Sequence, residues 1–143
     1  MATPVVYNNF KLKQHNGNGI NLASATIKVM VVTSAYTPSL AHAFKSDITS
    51  EVSGTNYAAG GTAIAGVTVA LDGNTVEFIH NDITWTQSGA GFSTGRTFVW
   101  YEDTGVAGTS KLIMYMQEAS DFGNVAGDLI LDGSATTGVL NIT

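Results

Sequence analysis

The sequence contains no cysteine, which excludes a disulfide scaffold, a thiolate metal site and a cysteine nucleophile. Proline is nearly absent too: Pro4 and Pro38 are the only two, and both fall outside the periodic segments. Charge is scarce, at 12% of residues, about half the ~25% of an ordinary globular chain. A surface so poor in charge suits a protein coated by neighbours or coating something else, and equally one whose surface is simply polar and uncharged. Only six side chains are cationic, Lys11, Lys13, Lys28, Lys45, Arg96 and Lys111. They are scattered along a chain of net charge −5, so no basic stripe forms to neutralise phosphates, and nucleic acid is not an expected partner. The longest apolar run, around residues 29–32, is far too short to span a bilayer, and no membrane partner is expected. The opening MATPVVYNNF has neither a charged leader nor an apolar core segment, so the chain is expected to be made and to fold in a cytoplasm.

What is present is a succession of short alternating segments. In the centre, residues 94–102 put Arg96, Phe98, Trp100 and Glu102 on one face, with Thr97, Val99 and Tyr101 on the other. Large apolar groups on both faces predict a central strand covered on both sides. Residues 110–118 repeat the pattern, with Leu112, Met114 and Met116 against Ile113 and Tyr115, and the glycine-rich 103–110 stretch between them suits a hairpin loop. Residues 26–33 form the strongest single strand. Further strands are expected at 5–14, 62–71, 75–80, 128–131 and 139–142, with a hairpin turn at Asp72–Gly73–Asn74 and loops at 15–19, 54–61, 120–127 and 132–138. Within 62–71, Val67, Val69 and Leu71 are expected to point inward. Residues 39–52 alone read as helical, for one or two turns that Ser46 or Asp47 would cap. Eight or nine short strands with frequent turns predict one domain over residues 1–143, an all-β, antiparallel, jelly-roll-like β-sandwich.

Chemistry-bearing residues are sparse. His15, His42 and His80 stand apart with no H-x-H pair, so no metal is expected. Asp121, Asp128 and Asp132 flank glycine-rich loops but match no calcium loop, and read as turn aspartates. Glu102, Asp103 and Glu118 offer carboxylate pairs of the kind any β-rich chain offers. No G-x-S-x-G elbow supports a serine triad. No cofactor and no enzymatic activity are expected. Arg96, the sole arginine, lies in a strand expected to be buried, so it needs a carboxylate, with Glu118, Glu77 or Asp82 as candidates; an interface role is its alternative. Trp100 reads as core, whereas Trp85, beside the polar 86–91 stretch, is the candidate for a contact surface such as a glycan platform.

The blocks KVMVVTSAYTP (28–38), HAFKSDITSEVSGTNYAAGGTAIAGVTV (42–69), DITW (82–85), FVWYEDTG (98–105), KLIMYM (111–116) and DGSATTGVLNIT (132–143) together resemble a family of small head proteins of tailed bacteriophages, the capsid decoration or cement proteins. Residues 87–93 depart from that pattern. The resemblance implies a non-enzymatic β-sandwich that binds the outer surface of the shell, with the major capsid protein and itself (homodimer or homotrimer) as partners and the virion as its place. The end 1–7 and the loop 36–61, carrying Tyr7, Tyr36 and Tyr57, are the segments expected to reach neighbours. A tail, neck or tube component, and a carbohydrate-binding module for host attachment, are the alternatives.

Overall fold

The computed structural model describes residues 2–133 and 140–142. Its centre is an antiparallel sheet of five strands: β1 (Val5–Val6), β2 (Ile27–Thr33), β3 (Thr62–Ala63), β7 (Gly95–Glu102) and β8 (Leu112–Phe122). Their order is β1-β8-β7-β2-β3, so the strand with two apolar faces does lie in the middle. Two small antiparallel sheets complete the fold. One pairs β4 (Thr68–Asp72) and β10 (Leu140–Ile142) on either side of β5 (Thr75–Ile79); the other pairs β6 (Ile83–Trp85) with β9 (Leu129–Leu131).

Strand parity decides most of what packs where, but a register shift at Trp100/Tyr101 turns Leu112 away from Met114, so Leu112 and Ile113 lie on the faces opposite to those expected. Val29, Val31, Phe98, Trp100, Met114 and Met116 face a core closed by Phe78, Ile83, Trp85, Leu131 and Leu140 from the small sheets. Met30, Val32, Val99, Tyr101 and Leu112 face the opposite way, onto Tyr7, Tyr36 and Ile48. The long connection 34–61 therefore acts as a second cover. The fold is the antiparallel all-β sandwich expected, with a central sheet buried on both sides.

Three segments differ from expectation. Residues 5–14 are not one strand: after β1 the chain forms a helix, α1 (Asn8–His15), in which Phe10 is buried and Leu12 is exposed. Lys13 and His15 in its last turn suit the helix dipole, and Gly17 follows at φ 81°, a conformation that favours glycine at a helix end. Residues 62–71 are split between two sheets. Gly66, at φ 62°, turns the chain out of the central sheet, so β4 is exposed throughout and Val69 and Leu71 do not point inward. The helical turns expected within 39–52 reduce to a single 3-10 turn, Lys45–Asp47. There Asp47 Oδ2 accepts the backbone N–H groups of Ala43 and Phe44 at 2.8 and 3.0 Å, which hold its carboxyl below the usual range. The last connection expected, 132–138, and Val139 at the start of the last strand lie outside the described residues from 134 onward.

Candidate functional site: a lysine-rimmed apolar end

β8 runs on through Phe122, into the start of the expected 120–127 loop. Its register against β7 jumps from Thr97↔Gln117 to Gly95↔Phe122, so residues 118–121 bulge out opposite Arg96. The guanidinium fills the gap: Nε donates to Asp121 Oδ1 at 2.7 Å and Nη1 to the Ala119 carbonyl at 2.9 Å. Arg96 is thus paired, but with Asp121 and at a half-exposed position, not with Glu118, Glu77 or Asp82 in the interior. Glu118 instead accepts the Ala2 N–H at 2.9 Å. A groove of about 370 Å³ lies beside the bulge, with Phe98, Phe122, Leu129 and Ile130 in its wall. Both carboxylates along it are already bonded to this chain.

The other sequence candidates turn inward. Trp85 is 2% exposed, stacked 6.0 Å from Phe98; it is core and offers no platform to a glycan. Tyr7 and Tyr36 are buried with their hydroxyls 3.1 Å apart, and the Tyr36 hydroxyl meets His42 Nδ1 at 2.8 Å. Burial pushes both phenols up. Tyr57 donates to Glu51 Oε1 at 2.7 Å and accepts the Val31 N–H at 3.0 Å; its phenol too is raised by burial. Glu51 also takes the Gly60 N–H at 2.6 Å. These tyrosines pin the end 2–7 and the loop 36–61 to the sheet, since Val5 and Val6 pair with Tyr115 and Met114. Neither segment is a free arm.

Two residues, His80 and Asn124, have buried polar roles that the sequence does not announce. Trp100, fully buried, donates its indole N–H to His80 Nε2 at 3.1 Å. An indole can only donate, so Nε2 accepts and the proton sits on Nδ1, which donates to the Asn81 carbonyl at 2.7 Å. Burial lowers the His80 pKa and keeps the ring neutral. Asn124, also fully buried, accepts the Phe92 N–H and donates to the Thr55 and Thr86 carbonyls at 3.0, 3.2 and 2.9 Å. It ties three loops together, including the 87–93 stretch. Its neighbour Gly91 is packed so close to this amide that a Cβ there would overlap it. An asparagine between Gly123 and Val125 carries no sequence signal for such a role.

What the surface does gather is one end of the central sheet. The loop 103–110, α1 and the 39–47 segment meet there: Lys45 N–H bonds Ser110, Ser46 N–H bonds Ala107, and Asn8 N–H bonds Leu40. Val106 at the loop tip is 61% exposed and Leu12 on α1 60%, with Leu40 beside α1 also exposed. Around them stand five of the six cationic side chains. Lys28 pairs with Asp103 at 2.6 Å, and Lys111 lies 3.8 Å from Glu102. Lys45 sits 5.1 Å over the Tyr101 ring. Lys11 and Lys13 on α1 have no ion-pair partner among the described residues. The Lys28 ammonium, with help from the Gly105 N–H, holds the Asp103 carboxyl below its usual range. Asp47, Glu51, Glu102 and Asp103 are the acids at this end, so the remaining seven of the eleven acids face a single arginine elsewhere. The molecule is electrically polar, with a basic, apolar-tipped end on an acidic body.

Compared with known proteins, the chain matches no family model, no curated protein and no solved structure.

Proposed function

We propose that this protein is a structural, non-enzymatic component of a tailed-phage head, a decoration protein that docks on the outer surface of the major capsid protein shell through its basic end. The observation that carries this reading is that Leu12, Leu40 and Val106 are exposed on three segments joined by backbone hydrogen bonds, segments that also carry Lys11, Lys13 and Lys45. Apolar tips with a charged rim have the anatomy of a contact surface. The tips lie on a helix and a tight loop anchored to a rigid sheet, so little order is lost on binding. Repetition over a lattice turns a weak single contact into tight occupancy. The sequence blocks that resemble decoration proteins support the same reading.

The test is co-sedimentation of purified protein with phage heads that lack it. The unaltered chain is expected to saturate the heads. Leu12→Asp combined with Val106→Asp is expected to lose binding while melting at an unchanged temperature. Equal binding by that variant overturns the reading.

The opposed charge of end and body favours a second reading, a neck or tube component, because head-to-tail contacts of unlike surfaces close into rings. Rings of purified protein in electron micrographs would select it over decoration.

A further inference from the structure

Beyond Phe78, the apolar face of the β4–β5 hairpin is covered by nothing among the described residues. Register pairs Val69 with Phe78 and Leu71 with Val76, and cross-strand partners share a face. Phe78 is buried in the core; from it the face runs outward through half-exposed Val69 and Val76 to Leu71, which is 71% exposed. Among the described strands β4 is also the outer one of its sheet, next to β5 alone. Edge strands are ordinarily blunted by a lysine, a proline or a bulge. β4 reads TVALD and pairs with β5 without a register shift, so it has none of these.

The occupant follows from the phase of the backbone and the placement of charge. Gly73 and Asn74 form a two-residue turn, which makes Asp72 and Thr75 a hydrogen-bonded pair. Alternation then directs the N–H and C=O groups of Thr68, Ala70 and Asp72 toward β5, and those of Val69 and Leu71 outward. A second copy of β4, antiparallel and centred on Ala70, meets these requirements. Val69 and Leu71 of one copy then exchange backbone hydrogen bonds with Leu71 and Val69 of the other, four bonds in all, and their side chains form one apolar strip. The only charge on the edge, Asp72, falls opposite Thr68 of the second copy. A parallel arrangement would stack the two Asp72 carboxylates instead. We infer that β4 is a two-fold self-pairing edge, which joins two copies of this chain into a continuous six-stranded sheet β10-β5-β4-β4-β5-β10. The pairing uses a different surface from the lysine-rimmed end and does not depend on the capsid reading.

The absence of native cysteine makes the register directly testable. In a two-fold pair centred on Ala70, the two copies of that residue face each other as a non-hydrogen-bonded pair with Cα atoms ~4.5 Å apart, within disulfide reach. Ala70→Cys is therefore expected to give a disulfide-linked dimer under mild oxidation. Thr68→Cys, whose counterpart lies four residues along the second strand, is expected to stay uncrosslinked. Sedimentation of the unaltered chain should show a dimer that strengthens with salt, because two bodies of like net charge repel less when screened. Leu71→Lys should be monomeric with the hairpin intact, since its side chain is 71% exposed beside Val76 and its N–H points away from β5. Equal crosslinking of the two cysteine variants, or a monomer for the unaltered chain at all salt concentrations, overturns the inference.

Discussion

Single residues hold this fold at points that periodicity does not mark. Asn124→Ala removes the acceptor for the Phe92 N–H and strands the Thr55 and Thr86 carbonyls, so thermal or denaturant unfolding should show a loss of about 2–4 kcal/mol. His80 gives the protein a pH dependence of defined sign. Its folded pKa is depressed by burial below the 6.5 of the free side chain, so its contribution is fully present above pH ~6.5 and is lost as pH falls through the folded value. Melting temperature should fall as pH is lowered from 7 toward 5. His80→Leu should be less stable at pH 7, because the Trp100 N–H loses its acceptor, yet show a flatter profile over that range. The candidate residues of the sequence were misplaced for one physical reason. A tyrosine, tryptophan or arginine that can serve a contact surface can equally cap a core, and only the three-dimensional partner decides. Tyr7 found Tyr36, Tyr57 found Glu51, and Arg96 found Asp121 through a bulge that strand parity has no means to announce.

At the level of elements, the long strands were legible because both faces of β2, β7 and β8 carry apolar side chains, a pattern that a central strand demands. The short ones were not. In 5–14, Val6, Phe10 and Leu12 satisfy an alternating pattern by accident; helical spacing keeps only Phe10, and the helix signals were the basic last turn and Gly17. In 62–71, apolar alternation continues across Gly66, whose left-handed backbone divides the run between two sheets. These two misreadings bear directly on function, because α1 carries Leu12 and the freed β4 carries Leu71. Phe10→Ala should cost about 3–5 kcal/mol and loosen α1, so head binding should weaken with it. Lys11→Glu, at an exposed position ahead of the last turn, leaves Phe10 in place and should reduce head binding without altering the melt.

For the molecule as a whole, the distribution of charge matters more than its amount. Five lysines crowd one end of a chain with net charge −5, so docking through that end should weaken as salt rises, whereas pairing through β4 should strengthen. Composition could show that charge was scarce; it could not show that lysines far apart in sequence converge, which follows from the antiparallel path of β2, β7 and β8 and from α1 lying against the 39–43 segment. The central claim is that this end grips a repeating protein surface. It is tested most directly by the copy number of the chain relative to the major capsid protein in purified virions, measured by quantitative mass spectrometry. The account predicts a number close to that of the capsid protein or a simple fraction of it set by the lattice. A number that fills a single ring at one vertex, or none at all, would contradict it.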